Sequence, residues 1–134
     1  MTSSSQIDLK KRAAARPVSP QTVEKPWGRE IIFAASTRFA GKLLEINAGE
    51  RLSVHFHRDK HEVLCVIRGT VRIFVREEPD RVERYDLVAG QAFEFPPGTV
   101  HRIEAVEDAL LVESSSPEID DVTRISDDYG RAPH

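Results

Sequence analysis

The sequence predicts an all-β domain, built as an antiparallel sandwich or barrel, and three observations carry that reading. Short runs rich in Val, Ile, Leu and Phe recur from Lys25 to Ser114. Turn-forming residues separate them at close and regular intervals. No stretch of comparable length between them shows helical apolar spacing.

The expected strands are residues 29–34, 41–47, 52–57, 62–67, 71–75, 82–88, 92–95, 100–105 and 110–114. The turns are Ala48-Gly49, Arg68-Gly69, Glu78-Pro79-Asp80, Ala89-Gly90, Pro96-Pro97-Gly98 and Glu107-Asp108. Alternation orients the side chains. Along 52–57, Val54 and Phe56 share one face while Ser53, His55 and His57 share the other. Residues 62–67 are apolar on both faces apart from Glu62, the pattern of a doubly buried central strand. An acid at the head of such a strand needs a partner, because an unpaired buried charge is costly.

Residues 1–20 read as a flexible tail. Pro17 and Pro20 interrupt any helix there, although 7–15 is rich enough in Ala, Lys and Arg to form one. Residues 21–116 form the β domain. Residues 117–134 are acidic, with Ile119, Val122, Ile125 and Tyr129 interspersed, and read as an extension packed on the domain through those apolar residues.

Composition narrows the function classes. A chain of 134 residues suits one domain. Its net charge of −3 offers no broad basic face for nucleic acid. No apolar run is long enough for a membrane helix, and no signal-peptide core is present. The single cysteine, Cys65, excludes an internal disulfide and fits a reducing cytoplasm. Exposed sheet edges favour a homodimer, with 27–33 the segment expected to cross to the partner.

His55, His57, Glu62 and His101 are the candidate metal ligands. Two histidines two apart on a strand point the same way. Glu62 opens the next strand after a polar turn, and His101 follows the Pro96-Pro97-Gly98 turn. Three imidazoles and a carboxylate suit one divalent transition ion: Zn, Mn, Fe, Co or Ni.

The spacing of these residues carries a family resemblance. Gly49, His55, His57, Glu62 and Gly69 match the first cupin motif without a gap, and Gly90, Pro96, Gly98 and His101 match the second. The resemblance implies a single cupin-type antiparallel β-barrel, a jelly roll. A narrower one is carried by Lys25-Pro26-Trp27-Gly28-Arg29-Glu30, Gly49-Glu50-Arg51-Leu52-Ser53 and Pro97-Gly98-Thr99-Val100-His101-Arg102, with a tail running from Glu113 to Arg131. These segments resemble the C-terminal cupin domain of type II mannose-6-phosphate isomerases. Two positions depart from that family: His55 stands where Gln is common, and Ala105 where the second motif usually closes with Asn. The sequence contains no nucleotidyltransferase domain.

The resemblance implies aldose–ketose isomerisation of a sugar or sugar phosphate, with Lys60, Glu113 and Arg102 as catalytic candidates and His61 as a further possible base. Lys60 is expected at the pocket mouth, facing a substrate phosphate. Alternation turns Arg102 away from the lumen, so its role needs an irregular strand. Phe93, Phe95 and Ile103 are expected to line the deeper pocket, and Cys65 to be a small core residue. Trp27 is expected to anchor the first strand. Two other readings stay open: a metal-dependent oxygenase, and a non-catalytic sugar-binding or regulatory module.

Overall fold

A computed structural model describes Asp8 and residues 10–131. Among these residues every regular element is a strand, in the order β1 Gln21–Lys25, β2 Gly28–Ala35, β3 Ala40–Ile46, β4 Val54–Phe56, β5 Glu62–Arg68, β6 Thr70–Glu78, β7 Arg81–Val88, β8 Ala92–Phe95, β9 His101–Ala105, β10 Ala109–Ser115 and β11 Thr123–Ser126. They form two antiparallel sheets: β1-β2-β3-β10-β5-β8 and β11-β4-β9-β6-β7. This is a jelly roll, all-β as the alternation and turns predict and of the form the family resemblance implies, with its two sheets not closed into a barrel.

Alternation supplies the core between the sheets. In β6, Val71, Ile73 and Val75 are buried while the residues between them are not. In β9 and β10, His101, Ile103, Ala105, Leu111 and Glu113 point inward. Trp27, Leu44, Ile46, Leu64, Phe95 and Ile103 join one apolar cluster, so Trp27 anchors the start of the domain as expected. Gly28 is needed just after it. Its φ is +152°, and a Cβ there would stand 1.9 Å from the Glu45 carbonyl oxygen. Only a residue without a side chain lets β2 lie this close to β3.

Two strands lie outside the sequence-based set, β1 and β11. The helix considered for 7–15 does not form where the chain is described: residues 10–12 make a turn, and 13–20 are irregular. Part of that segment, including Ile7 and Leu9, lies outside the described residues. β2 is paired on both sides, by β1 and β3, so the segment expected to cross to a partner is not a sheet edge. The edge strands of that sheet are β1 and β8. β5 is buried on one face only, with Val63 and Ile67 exposed at 39% and 50%. Cys65 shares that outer face and is half-buried, not a core residue.

The two sheets bring the ligand-bearing segments together. β4 pairs with β9 through the single register pair His55 and His101. β11 pairs with the other side of β4, setting Arg124 against His55 and Thr123 against Phe56. The 117–131 segment is thus tied to the domain by a strand pairing as well as by apolar contacts.

Candidate metal centre

His55 and His57 face inward from β4 and its end because Val54 and Phe56 take the opposite face. His101 arrives from β9 across the register pair. All three are buried, and one ring nitrogen from each lies within 4.8 Å of the others. The rings pack edge to face, with His55 4.6 Å from His101 and 5.0 Å from His57 between centroids. Phe95 stacks on His101 at 4.0 Å and fixes that ring from behind.

Each imidazole is aimed by its backbone. His55 Nδ1 donates to the Ser53 carbonyl at 3.0 Å, and His101 Nδ1 to the Thr99 carbonyl at 2.8 Å. His57 Nδ1 donates to the carbonyl of Asp121. With the proton held on Nδ1 by a carbonyl, Nε2 keeps its lone pair for the cavity. His57 Nε2 and His101 Nε2 are buried without a hydrogen-bond partner. Burial, then the neighbouring rings His101 and His57, hold His55 well below the usual imidazole range, so it is neutral, as a ligand must be.

Glu62 Oε1 lies 3.6 Å from His101 Nε2, and Oε2 3.6 Å from His57 Nε2. A mixed nitrogen and oxygen set with bare, buried Nε2 atoms fits a first-row divalent ion. His55, His57 and His101 would hold it, with Glu62 beside two of them.

Glu62 also has a second partner. Lys60 Nζ sits 2.9 Å from Glu62 Oε2 and 2.9 Å from Glu113 Oε2, and all three side chains are buried. Lys60 is therefore an internal bridge between two carboxylates, not a cation at the pocket mouth. Its burial lowers its pKa, but the charges of Glu113 and Glu62 outweigh that and hold the ammonium above its ordinary range. Burial and the Glu62 charge raise Glu113, against the pull of Lys60. Burial opposes the Glu62 carboxylate too, yet the Lys60 ammonium beside it keeps it ionised, below the usual range.

His55, His57, Lys60, Glu62 and Glu113 line a cavity of about 630 Å³, together with Trp27, Leu44 and Ile103. Its walls also carry Lys25, Glu30, Lys42, Arg124 and Arg131. Lys42 pairs with Glu30 at 3.4 Å, and Arg131 makes a two-pronged pair with Asp127.

The remaining candidates lie elsewhere. Arg102 points out of the lumen as alternation requires. Its Nε donates to the Leu52 carbonyl at 2.8 Å, and its Nη2 reaches Asp128 at 2.9 Å. No strand irregularity turns it inward, so its position does not suit a catalytic role in this pocket. His61 is half exposed and pairs with Glu94 at 2.7 Å, outside the cavity. Of the three residues expected to line the deeper pocket, only Ile103 does; Phe95 backs His101, and Phe93 packs between Phe95 and Tyr85.

Sequence reasoning missed Asp121. Its carboxylate accepts the backbone N–H groups of Arg58, Asp59 and Lys60 at 3.1, 2.7 and 3.0 Å. Those contacts outweigh the effect of burial and hold the carboxyl below its ordinary range. The available signal was the Asp120-Asp121 pair within the tail that carries the family resemblance.

Fold and site together define a jelly roll with a candidate metal centre in the pocket between its sheets. A family model described as a cupin domain matches residues 42–113, and the chain belongs to the cupin family. Among curated proteins it is similar to the mannose-1-phosphate guanylyltransferase ManC of Salmonella typhimurium, 32% identical over 114 residues. It is also similar to the alginate biosynthesis protein AlgA of Pseudomonas aeruginosa, at 28% over 114 residues. Each match covers 81% of this chain but 23% of the relative, so the chain spans about a quarter of their length. Among solved structures, KdgF from Halomonas sp. superposes with a TM-score of 0.66 at 25% identity, covering 78% of this chain and 92% of KdgF. A single-residue variant of oxalate decarboxylase from B. subtilis superposes with a TM-score of 0.71 at 20% identity, covering 85% of this chain and 32% of that one, a likeness of fold.

Proposed function

We propose that this chain is a metal-dependent cupin that interconverts the aldose and ketose forms of a sugar or sugar phosphate. The observation that carries the reading is the cluster of three buried imidazoles, one ring nitrogen of each within 4.8 Å of the others, with Glu62 and the buried Lys60–Glu113 pair beside it. His55, His57, Glu62 and His101 would hold a divalent transition ion, which when bound would supply Lewis-acid polarisation of the substrate. Glu113 takes a proton from the hydroxyl-bearing carbon of the substrate and returns it to the neighbouring carbonyl carbon, while the hydroxyl proton passes to the former carbonyl oxygen. Lys60 holds Glu113 in place and balances the charge of the two carboxylates.

The names of the curated relatives support a hexose phosphate as substrate class, since several are named for mannose 1-phosphate. Guanylyl transfer itself is not proposed for this chain, which spans about a quarter of those proteins. With Lys60 committed inside the wall, the cations a phosphate would meet are Lys25, Arg124 and Arg131. The test is metal analysis of the purified protein, then a panel of aldoses, ketoses and their phosphates with Mn, Co, Ni, Zn or Fe supplied. Isomerisation of at least one sugar is expected. Absence of turnover throughout the panel rejects the activity, and oxygen uptake with iron bound turns the reading to an oxygenase.

A second copy of the chain is the proposed protein partner. The outer face of the six-stranded sheet carries the cross-strand row Ile31, Leu43, Val112 and Cys65. Phe33, Val63 and Ile67 are exposed nearby. The rim carries both signs, with Arg29 paired to Glu45, so two copies related by a twofold axis can meet with opposite charges facing. Sedimentation equilibrium is expected to give twice the chain mass of 15.1 kDa. A monomer mass that does not change with concentration rejects the pairing.

A further inference from the structure

We propose that Asp121, in the C-terminal segment, is a positioning residue for the metal centre, holding both His57 and the loop that leads to Glu62. The inference rests on the metal reading above. Two separate groups of Asp121 act on the site. Its main-chain carbonyl accepts the Nδ1 proton of His57, which fixes that tautomer and aims Nε2 at the other imidazoles. Its carboxylate collects the three successive N–H groups of Arg58, Asp59 and Lys60, which sets the backbone path from His57 to Glu62.

The chain places Asp121 there through β11. Thr123 pairs with Phe56 and Arg124 with His55, so the residues just before β11 meet those just after β4. The next residue of the loop is held from another side, where His61 N–H donates to Ser116 Oγ at 2.9 Å. Successive N–H groups from 58 to 61 are thus all accepted by side chains of the 116–121 segment. That loop carries Lys60 as well, so the same carboxylate also sets the bridge to Glu62 and Glu113.

A different role for Asp121 would be simple attachment of the tail. The tail has another anchor of that kind, Asp128, which pairs with Arg51 and Arg102 at 2.8 and 2.9 Å, on residues outside the 57–62 segment. The two roles separate in a titration of metal-free, full-length protein with Co²⁺ alone, followed by calorimetry and by the visible absorption of the bound ion. Asp121→Ala is expected to bind Co²⁺ about 10- to 100-fold more weakly, with an altered absorption band, because it keeps the main-chain carbonyl opposite His57 but loses the carboxylate that fixes that carbonyl and the 58–60 backbone in place. Asp121→Asn keeps one acceptor oxygen and is expected to lose less. Asp128→Ala is expected to match wild type in affinity and spectrum.

Wild-type affinity and spectrum in both Asp121 variants overturn the proposal while leaving the metal reading intact. An equal loss in Asp128→Ala also overturns it, since tail attachment then explains the effect. Failure of the wild-type protein to bind Co²⁺ overturns the metal reading, and this inference with it. If Asp121→Ala does not fold, Asp121→Asn decides alone, and unchanged binding by that variant overturns the proposal.

Discussion

Alanine at His55, His57, Glu62 or His101 is expected to lower the metal carried by the purified protein, and alanine at His61 to leave it near wild type. Each of the first four removes a donor from one buried cluster. The loss at each histidine should exceed the roughly 10- to 100-fold that removing an outer partner costs. Glu62→Ala has a second consequence, because Lys60 then keeps only Glu113 as a partner. His61 provides the control, since its ring pairs with Glu94 on the surface. Elemental analysis of the five variants, each checked for strand content, reads the result. Equal metal across all five would remove the centre from consideration.

The residues that made this site legible in the sequence are those whose position follows from local rules. Period-two alternation placed His55 and His57 on the face opposite Val54 and Phe56. The same rule turned Arg102 outward from between His101 and Ile103. Turn chemistry separated the strands, and six glycines adopt positive φ. Strands with weak apolar signals escaped. β1 carries Val23 as its one apolar residue, and β11 carries Ile125, which is exposed. Both are short and were joined to the sheets by tertiary pairing rather than by their own propensity.

What the sequence could not show is which side of a polar turn faces the pocket. Arg58, Asp59, Lys60 and His61 read alike as a solvated loop, yet Lys60 is buried and Arg58, Asp59 and His61 are exposed. The difference arises from segments far away in the chain. Asp121 pulls the loop backbone inward by its N–H groups, and Glu113 on β10 offers Lys60 a second carboxylate. Neither contact leaves a trace in local spacing. The outer face of β5 misled for a related reason: Val63, Cys65 and Ile67 look like core residues, but no layer among the described residues covers them.

Lys60→Met is expected to destabilise the protein strongly without separating phosphorylated from unphosphorylated sugars. Lys60 is 2% exposed and lies 2.9 Å from both Glu62 and Glu113. A methionine of similar length fills the volume but leaves two buried carboxylates facing each other. Removing one partner of a buried ion pair typically costs about 3–5 kcal/mol, because the remaining charge stays buried and uncompensated. At least one of the glutamates then takes up a proton, and Glu62 loses the charge that helps keep it ionised. Glu113→Gln should behave differently. It removes the proposed base, so turnover should fall about 10²- to 10⁴-fold. Lys60 keeps Glu62 as a partner and no carboxylate is left alone, so folding and bound metal should change little. A mouth cation would give another pattern: Lys60→Met would raise KM for a sugar phosphate alone, with the melting temperature unchanged. Thermal melts of both variants, set beside their kinetics on a sugar and its phosphate, distinguish the cases. A Lys60→Met protein as stable as wild type but selectively weak for phosphate would return Lys60 to the mouth of the pocket.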